Sequence, residues 1–279
     1  MESVTAAAVQ MNSGPDRSRN LERAGQLVRR AAAEGAQFVA LPENFAVMAR
    51  EGVAIPGTEP IDGPIVRWGR DLAAELGIDL LLGSIPETGS RPGMRRNSSV
   101  LIDRRGAVAG VYRKIHLFDV ELDGRRLEES SAVEPGDETV CAELEWGRVG
   151  LSICYDLRFP ELYRRLRRDG AEVLAVPAAF TSTTGPDHWH LLLRARAVEN
   201  QAFVVAPAQW GTHGPGRSSY GHALIVGPWG EVLADAGGEG DGLALARLEA
   251  SRIGEAHARI PCLEHARDWL LAGRARRDG

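Results

Sequence analysis

The chain has 279 residues, of which 44% are hydrophobic and 25% are charged, and its formal net charge is −5. This composition is typical of a globular protein with a core of normal size, and a mildly acidic chain with scattered arginines lacks the basic surface that nucleic acid or an anionic membrane requires. The N-terminal segment has no secretory signal and no apolar run reaches the length of a membrane span. We therefore expect a soluble, cytoplasmic protein.

Strand and helix patterns alternate along the N-terminal part of the chain. VTAAAVQM predicts a strand, and apolar residues at helical spacing predict a helix over 18–34 that Gly35 ends. Pro64 begins a second predicted helix, which Gly77 ends. The other predicted strands of this part are QFVAL, DLLLGSI and a pair around a turn within SSVLIDRRGAVAGVYR.

The alternation continues toward the C-terminus. VGLSIC predicts a strand, PELYRRLRRDG a helix with Pro160 in its first turn, and a further helix is predicted over about 188–200. EVLAVPA and AFVVAPA predict strands, and HALIVGPWGEVLADA predicts a hairpin. The pattern indicates an α/β fold with a mixed sheet. No linker interrupts it, so we predict one domain over 1–279, with a core over about 1–260 and a tail over 261–279.

The sequence contains one internal repeat. GAQFVALPENF begins at Gly35 and GAEVLAVPAAF begins at Gly170, and each follows a predicted helix. The two segments are either similar helix–strand units or copies related by a pseudo-two-fold axis. They differ at Glu43, whose counterpart is Ala178, so this carboxylate at a strand end is a candidate for chemistry.

Cys154 stands where the apolar run RVGLSI ends and CYDLRFPEL begins. A helix beginning near Pro160 would bring positive potential close to the thiol, which lowers a thiol pKa and favours the nucleophilic thiolate. The alternative is a small buried residue at a packed corner, since free cysteines are commonly buried and inert. The other cysteines, Cys141 in a strand-like segment and Cys262, have no catalytic context, and no CxxC pair indicates zinc or redox exchange.

Lys114 is the only lysine among 33 lysine and arginine residues. It lies in VYRKIHLF, just after an apolar run. Lysine offers a compact ammonium group that can exchange a proton, whereas arginine stays protonated. Either arginine cannot replace lysine at this position, or Lys114 is a surface residue that is lysine by chance.

Two glutamates complete a candidate constellation. Glu43 follows the proline that ends a predicted strand, and Glu129 lies in the polar segment EESSAVEPGD. Either is alternatively a solvated loop acid. A cysteine hydrolase needs a thiolate, a general base and a cation at the developing oxyanion, and Cys154, Glu43 and Lys114 supply all three without a histidine.

The motifs LPENF, YRKIHLFDVEL, GLSICYDLRFPEL and GPDHWHLLLRARAVENQ occur along the whole chain. With these motifs the chain resembles the nitrilase superfamily of carbon–nitrogen hydrolases. The resemblance implies a four-layer α-β-β-α sandwich with two mixed sheets, a catalytic triad of Glu43, Lys114 and Cys154, and assistance by Glu129. RSSYGHALIVGPWGEV and TGPDHW are most similar to the branch of deaminated glutathione amidases, whereas the ending EHARDWLLAGRARRDG departs from it.

We expect a small-molecule amide substrate and neither a metal nor an organic cofactor, because acyl transfer with these groups needs none. The resemblance also implies a homodimer or a higher homo-oligomer. We assign the backbone N–H of Tyr155 to the oxyanion and assign Phe180 and Thr181 to the substrate site. Arg158 is a candidate partner for a substrate carboxylate; alternatively it is held in an ion pair by a nearby acid, Asp156, Glu161 or Glu172.

Other functions stay open at this stage. Hydrolysis of ω-amides or N-carbamoyl amino acids suits the same triad. A cysteine–histidine hydrolase would take its base from one of the histidines, His116, His188, His190, His213 or His222. A binding protein on an inactive hydrolase scaffold would not need all four chemical side chains, and acyl transfer to an amine or thiol is permitted by the same groups.

Overall fold

The computed structural model describes residues 1–49, 53, 55, 57–122 and 124–267. The predicted tail therefore lies outside the described residues from 268 onward. Within the described part, no helix combines the length and apolar character needed to cross a membrane. The α-helices of that part are α1 Arg17–Ala33, α2 Pro64–Leu76, α3 Pro160–Arg168, α4 Gly185–Asn200, α5 Ser251–Arg259 and α6 Cys262–His265.

The strands form two large mixed sheets and one hairpin. In chain order they are β1 Val4–Met11, β2 Phe38–Ala40, β3 Asp79–Thr88, β4 Arg95–Ile102, β5 Val108–Arg113, β6 Asp119–Leu122, β7 Arg125–Glu128, β8 Cys141–Leu144, β9 Gly147–Leu151, β10 Val173–Ala175, β11 Phe203–Ala206, β12 Ala208–Thr212, β13 Ser218–Tyr220, β14 Leu224–Val226, β15 Val232–Asp235 and β16 Gly242–Leu248.

Each large sheet has parallel strands at its centre. The first sheet has the order β13-β12-β1-β2-β3-β4-β5, with β16 antiparallel to β1. The second has the order β15-β14-β11-β10-β9-β8. Strands β1, β2 and β3 are parallel to one another, as are β9, β10 and β11, and antiparallel pairs complete both sheets.

Successive side chains of a strand point to opposite faces of its sheet, and this alternation shows which layer packs on each face. Ala6 and Ala8 of β1 belong to the core that joins both sheets to α3 and α4. Ala7 and Val9 point the other way and pack with the apolar faces of α1 and α2. The resulting order of layers is the α-β-β-α sandwich that the sequence resemblance implies.

The strongly periodic predictions are confirmed. The strand over 4–11 has the predicted bounds, and α2 begins at Pro64 and is closed by Gly77 in the left-handed region with φ +63°. Helix α4 begins at Gly185, earlier than predicted. The hairpin β6–β7, the strands β12, β13 and β16 and helix α5 were not predicted. The hairpin belongs to neither large sheet. Its first strand, DVEL, alternates exposed and half-buried residues but is only four residues long, so its pattern is too short to stand out in the sequence.

The two copies of the internal repeat form strands at equivalent positions in the two sheets. Phe38–Ala40 and Val173–Ala175 are the matching strands, and each is flanked by parallel strands in its own sheet. Their carboxyl ends meet, because the N–H of Ala179 donates to Glu43 Oε2 at 2.9 Å. The geometry favours two related copies, and the copies differ at the point where they meet.

Candidate active site

Glu43 lies beyond the end of β2 with its side chain buried. Its Oε1 accepts hydrogen bonds from Lys114 Nζ at 3.2 Å and from Asn97 Nδ2 at 2.9 Å. Its Oε2 accepts the Ala179 N–H, and its backbone carbonyl accepts a bond from Gln209 Nε2 at 3.0 Å. These contacts orient the carboxylate from both sheets, so Glu43 is not a solvated loop acid.

Lys114 follows β5 directly and is 2% exposed. Its Nζ lies 2.8 Å from Glu129 Oε2, which also accepts the N–H of Phe118 at 2.8 Å. Asn97 on β4 donates to Glu129 Oε1 at 3.3 Å as well as to Glu43, and so links the two carboxylates. A buried ammonium shared by two carboxylates is a site for a compact cation, which explains why the only lysine stands here.

Cys154 lies beyond β9 at the start of a short 3-10 turn over Cys154–Arg158. Its φ is +49°, in the left-handed region that residues other than glycine rarely adopt. Its N–H donates to the Pro177 carbonyl at 2.9 Å, and its thiol lies in electrostatic range of Glu43 and Lys114. Backbone strain of this kind is concentrated at functional sites, so the geometry favours a nucleophile over an inert packed thiol.

The carboxylate of Asp156 fixes this turn. It is fully buried, and its Oδ2 accepts the N–H of Ile153 at 2.8 Å and the Tyr112 hydroxyl at 2.7 Å. Its Oδ1 accepts the N–H of His116 at 3.1 Å and lies 2.7 Å from His116 Nδ1. The turn that carries Cys154 is therefore tied to the end of β5, next to Lys114.

The charges of the site depend on burial and on its neighbours. Burial by itself raises the pKa of Glu43, but the charge of Lys114, the Ala179 N–H and the Cys154 thiol together hold that pKa below its usual value. Burial opposes the charge of Lys114, but Glu129 and Glu43 raise its pKa. At neutral pH, Glu43 is thus a carboxylate and Lys114 an ammonium.

Burial, followed by the negative charge of Glu43, raises the pKa of the Cys154 thiol well above its ordinary value. The expectation that a helix N-terminus lowers this pKa is therefore wrong, because burial and a neighbouring carboxylate outweigh that effect. These directions favour a neutral Cys154 thiol beside the ionised carboxylate of Glu43.

A cavity of about 430 Å³ opens over these groups. It is lined by Glu43, Lys114, Glu129 and Cys154 and also by the other predicted site residues, Tyr155, Arg158, Phe180 and Thr181. The N–H of Tyr155 donates to no backbone carbonyl of the described residues. It is therefore free to donate to a developing oxyanion.

Arg158 is held without a carboxylate. Its Nη1 lies 3.3 Å from His188 Nδ1 and its Nη2 3.4 Å from Thr184 Oγ1, and its guanidinium lies over the rings of Phe180 and Tyr155. Among the described residues it forms no ion pair, and its nearest candidates are engaged elsewhere or exposed: Asp156 binds His116, Glu172 binds the N-terminus, and Glu161 faces solvent. The ion-pair alternative is therefore wrong.

The hydrogen bonds of the described histidines go to groups other than the Cys154 thiol. His116 binds Asp156, and His213 lies buried between Ser13 and Ser219, where burial lowers its pKa to about 4. No histidine of the described part is hydrogen bonded to Cys154, so the geometry gives a histidine base no support.

One group in the described part of the chain has the spacing of metal ligands, and it lies outside the cavity. His190 and His222 both contact Asp235, at 3.2 Å and 3.1 Å. These hydrogen bonds already satisfy the carboxylate.

Comparison with known proteins agrees with this geometry. The sequence profile named carbon-nitrogen hydrolase matches residues 5–258. The chain belongs to the carbon–nitrogen hydrolase family. This hydrolase is 43% identical over 269 residues to a deaminated glutathione amidase of Synechocystis, covering 95% of this chain and 98% of that one.

Two solved structures extend the comparison. The NitFhit protein of C. elegans is 37% identical with a TM-score of 0.86, and the match covers 97% of this hydrolase and 66% of that longer chain. A mutant amidase of Nesterenkonia sp. AN1, in which acrylamide has added to the active site cysteine, is 29% identical with a TM-score of 0.76 and covers 93% and 98% of the two chains. Because it belongs to the carbon–nitrogen hydrolase family and its relatives are named amidases, this hydrolase is an enzyme that hydrolyses amides.

Sequence reasoning missed several residues of the hydrolase site. Asn97 is a polar residue buried on β4 and could have been found by assigning the faces of that strand, whereas the role of Asp156, buried in the turn after β9, depends on tertiary contacts. The Ala179 N–H carries no sequence signal, because any residue supplies one. Arg95, at the start of β4, also lines the cavity and is hidden among the many arginines.

Proposed function

We propose that this hydrolase cleaves the amide bond of a small carboxylate-bearing substrate, such as deaminated glutathione, through a thioester on Cys154. The observation that carries the proposal is the meeting of Glu43, Lys114 and Cys154, from distant parts of the chain, at one wall of the cavity. The similarity to relatives named deaminated glutathione amidase supports the choice of substrate.

In the first half-reaction, Glu43 removes the proton of the Cys154 thiol while Sγ attacks the amide carbonyl carbon. Because the resting thiol is neutral, proton removal and attack are coupled. Lys114 and the N–H of Tyr155 stabilise the charge on the carbonyl oxygen. The carbon–nitrogen bond then breaks, the nitrogen receives the proton from Glu43, and the amine leaves a thioester behind.

In the second half-reaction, Glu43 removes a proton from water, and the hydroxide attacks the thioester carbonyl. The carbon–sulfur bond breaks, the carboxylic acid leaves, and the sulfur regains its proton from Glu43. Glu129 acts as a positioning residue, since it binds the ammonium of Lys114 at 2.8 Å and lies at the rim of the cavity.

The test of this mechanism is mass spectrometry with a panel of ω-amides, carbamoyl amino acids and deaminated glutathione. We expect Cys154→Ala to abolish both turnover and the acyl adduct while the protein stays folded. The controls Cys141→Ser and Cys262→Ser should keep most activity. Comparable losses in all three folded variants would contradict the assignment, and the best substrate of the panel identifies the preferred amide.

Arg158 is the residue that would bind a substrate carboxylate, because its guanidinium lines the cavity and forms no ion pair with a described residue. We expect Arg158→Gln to raise KM steeply for carboxylate-bearing amides and to change it little for neutral amides. Equal losses on both kinds of substrate, together with a lower melting temperature, would show that Arg158 only supports the turn.

A further inference from the structure

Two cations of the cavity have no role in the proposed reaction. Lys114 is neutralised by two glutamates, and Arg158 is assigned above to one carboxylate. Arg95 and Arg217 also line the cavity. Neither of them forms an ion pair with a carboxylate of the described residues.

Arg95 begins β4 and carries an unfilled donor. Its Nη1 is excluded from solvent and donates to no described residue. Burial lowers the pKa of Arg95, the charge of Glu129 opposes this change, and the charge of Arg217 adds to it. The two guanidinium groups are therefore close enough to repel each other, and a buried donor without a partner is costly.

Arg217 precedes β13 and is oriented by a neutral group. Its Nη1 donates to the carbonyl oxygen of Ala49 at 3.0 Å, which holds the guanidinium without neutralising it. Arg95 and Arg217 line one cavity without an ion pair, and an anion between them would offset their repulsion, although Glu128 and Glu129 also line this cavity. A carboxylate fits this role, because its two oxygens match the planar fork of a guanidinium, and it is the anion that the proposed substrates carry.

We propose that Arg95 and Arg217 form a second carboxylate subsite, so that the preferred substrate is a dianion with one carboxylate at Arg158 and the other at this pair. The inference rests on the proposed amide hydrolysis at Cys154. It adds a requirement that the reaction itself does not contain, namely negative charge at both ends of the substrate.

The test uses the amide that 2-oxoglutarate forms through its distal carboxyl group with glycine, and two matched compounds in which one or the other carboxylate is replaced by a neutral carboxamide. In the wild type, we expect each replacement to lower kcat/KM about 10- to 100-fold. Arg95→Gln and Arg217→Gln should each abolish the response to one and the same carboxylate, and Arg158→Gln the response to the other.

The matched control is Arg96→Gln. Arg96 is the next residue on β4, pairs with Glu134 at 3.3 Å and does not line the cavity. This variant should discriminate between the three amides as the wild type does. Equal losses on all three amides in Arg95→Gln and Arg217→Gln, or undiminished discrimination, would overturn the subsite.

A binding measurement makes the test independent of turnover. Calorimetric titration of Cys154→Ala with glutarate, adipate and suberate, and with their monoamides, should give tighter binding of a diacid, and Arg95→Gln in the same background should remove that difference. A difference that persists, or that never exists, overturns the subsite. Failure of every amide to acylate Cys154 overturns the proposed function instead.

Discussion

At the scale of single residues, the only lysine of the chain lies at the centre of the proposed site. Lys114 is buried between Glu43 and Glu129, with contacts of 3.2 Å and 2.8 Å. A guanidinium there would have to place a longer, planar group between the same oxygens. The geometry thus offers a structural reason for the presence of a single lysine at this position.

We expect Lys114→Arg to lower kcat by about 100- to 1,000-fold, the usual cost of losing one oxyanion donor. Steady-state assays on the best amide of the panel measure the effect. The reciprocal change at the neighbouring position, Arg113→Lys, is the control, because Arg113 pairs with Glu87 and is outside the cavity. Near-normal activity of Lys114→Arg would show that the site does not require a lysine at this position.

The pH dependence of kcat/KM distinguishes a glutamate base from a histidine. Glu43 acts as a base only when ionised, and its pKa is held below the ordinary 4.5, so activity is lost only as pH falls through that lower value. Burial and the negative charge of Glu43 raise the pKa of the Cys154 thiol well above its ordinary value of 9.0, so the thiol does not ionise near neutral pH. We expect a level profile from about pH 5 to about pH 8. A limb between about pH 6 and 7 would indicate a histidine base.

At the scale of elements, the short turn over Cys154–Arg158 is the part on which the site depends most. It presents the nucleophile with φ +49°, and the turn is fixed mainly by the buried carboxylate of Asp156. A strained residue persists only where its surroundings over-determine it. The turn and the end of β5 are therefore one structural unit.

We expect Asp156→Asn to destabilise the protein by about 2–3 kcal/mol, because an amide cannot accept every hydrogen bond that the buried carboxylate accepts. Urea denaturation measures the loss, and kcat should fall along with it since Cys154 is displaced. Glu161→Gln, an exposed change on the following helix, is the control and should alter neither quantity. An unchanged kcat in Asp156→Asn would contradict the prediction that Asp156 positions Cys154 for catalysis.

At the scale of the whole molecule, one face carries exposed apolar side chains. Leu191 is 65% exposed and Val198 49% exposed on one side of α4, and Trp229 and Ile260 are also exposed. Side chains of this size are favourably buried in association. They are consistent with the homodimer that the sequence resemblance implies, which stays a prediction.

We expect light scattering coupled to size-exclusion chromatography to give the mass of a dimer for the wild type. The double change Leu191→Glu and Val198→Glu should give a monomer. Val108→Glu, at an exposed valine of β5, is the control and should leave the mass unchanged. A monomeric wild type would contradict the dimer.

The alternation of strands and amphipathic helices in the sequence indicated an α/β fold with a mixed sheet, and the resemblance to the nitrilase superfamily implied the four layers and the second sheet. The sequence also predicted the reacting groups, since Glu43, Lys114 and Cys154 each stand out from their surroundings at the end of an apolar run, and the structure brings all three to one cavity. Local pattern failed at the hairpin β6–β7, which belongs to neither large sheet, and at the thiol pKa, which burial controls.

Only the tertiary structure decided how the groups act. The bridge by Asn97, the Ala179 N–H on Glu43 and the carboxylate of Asp156 join residues that are far apart in the sequence. The neutral state of the Cys154 thiol depends on its distance to Glu43 and on exclusion of water, and neither quantity is a property of local sequence. The same is true of Arg95 and Arg217, whose repulsion exists only because the fold brings both to one cavity.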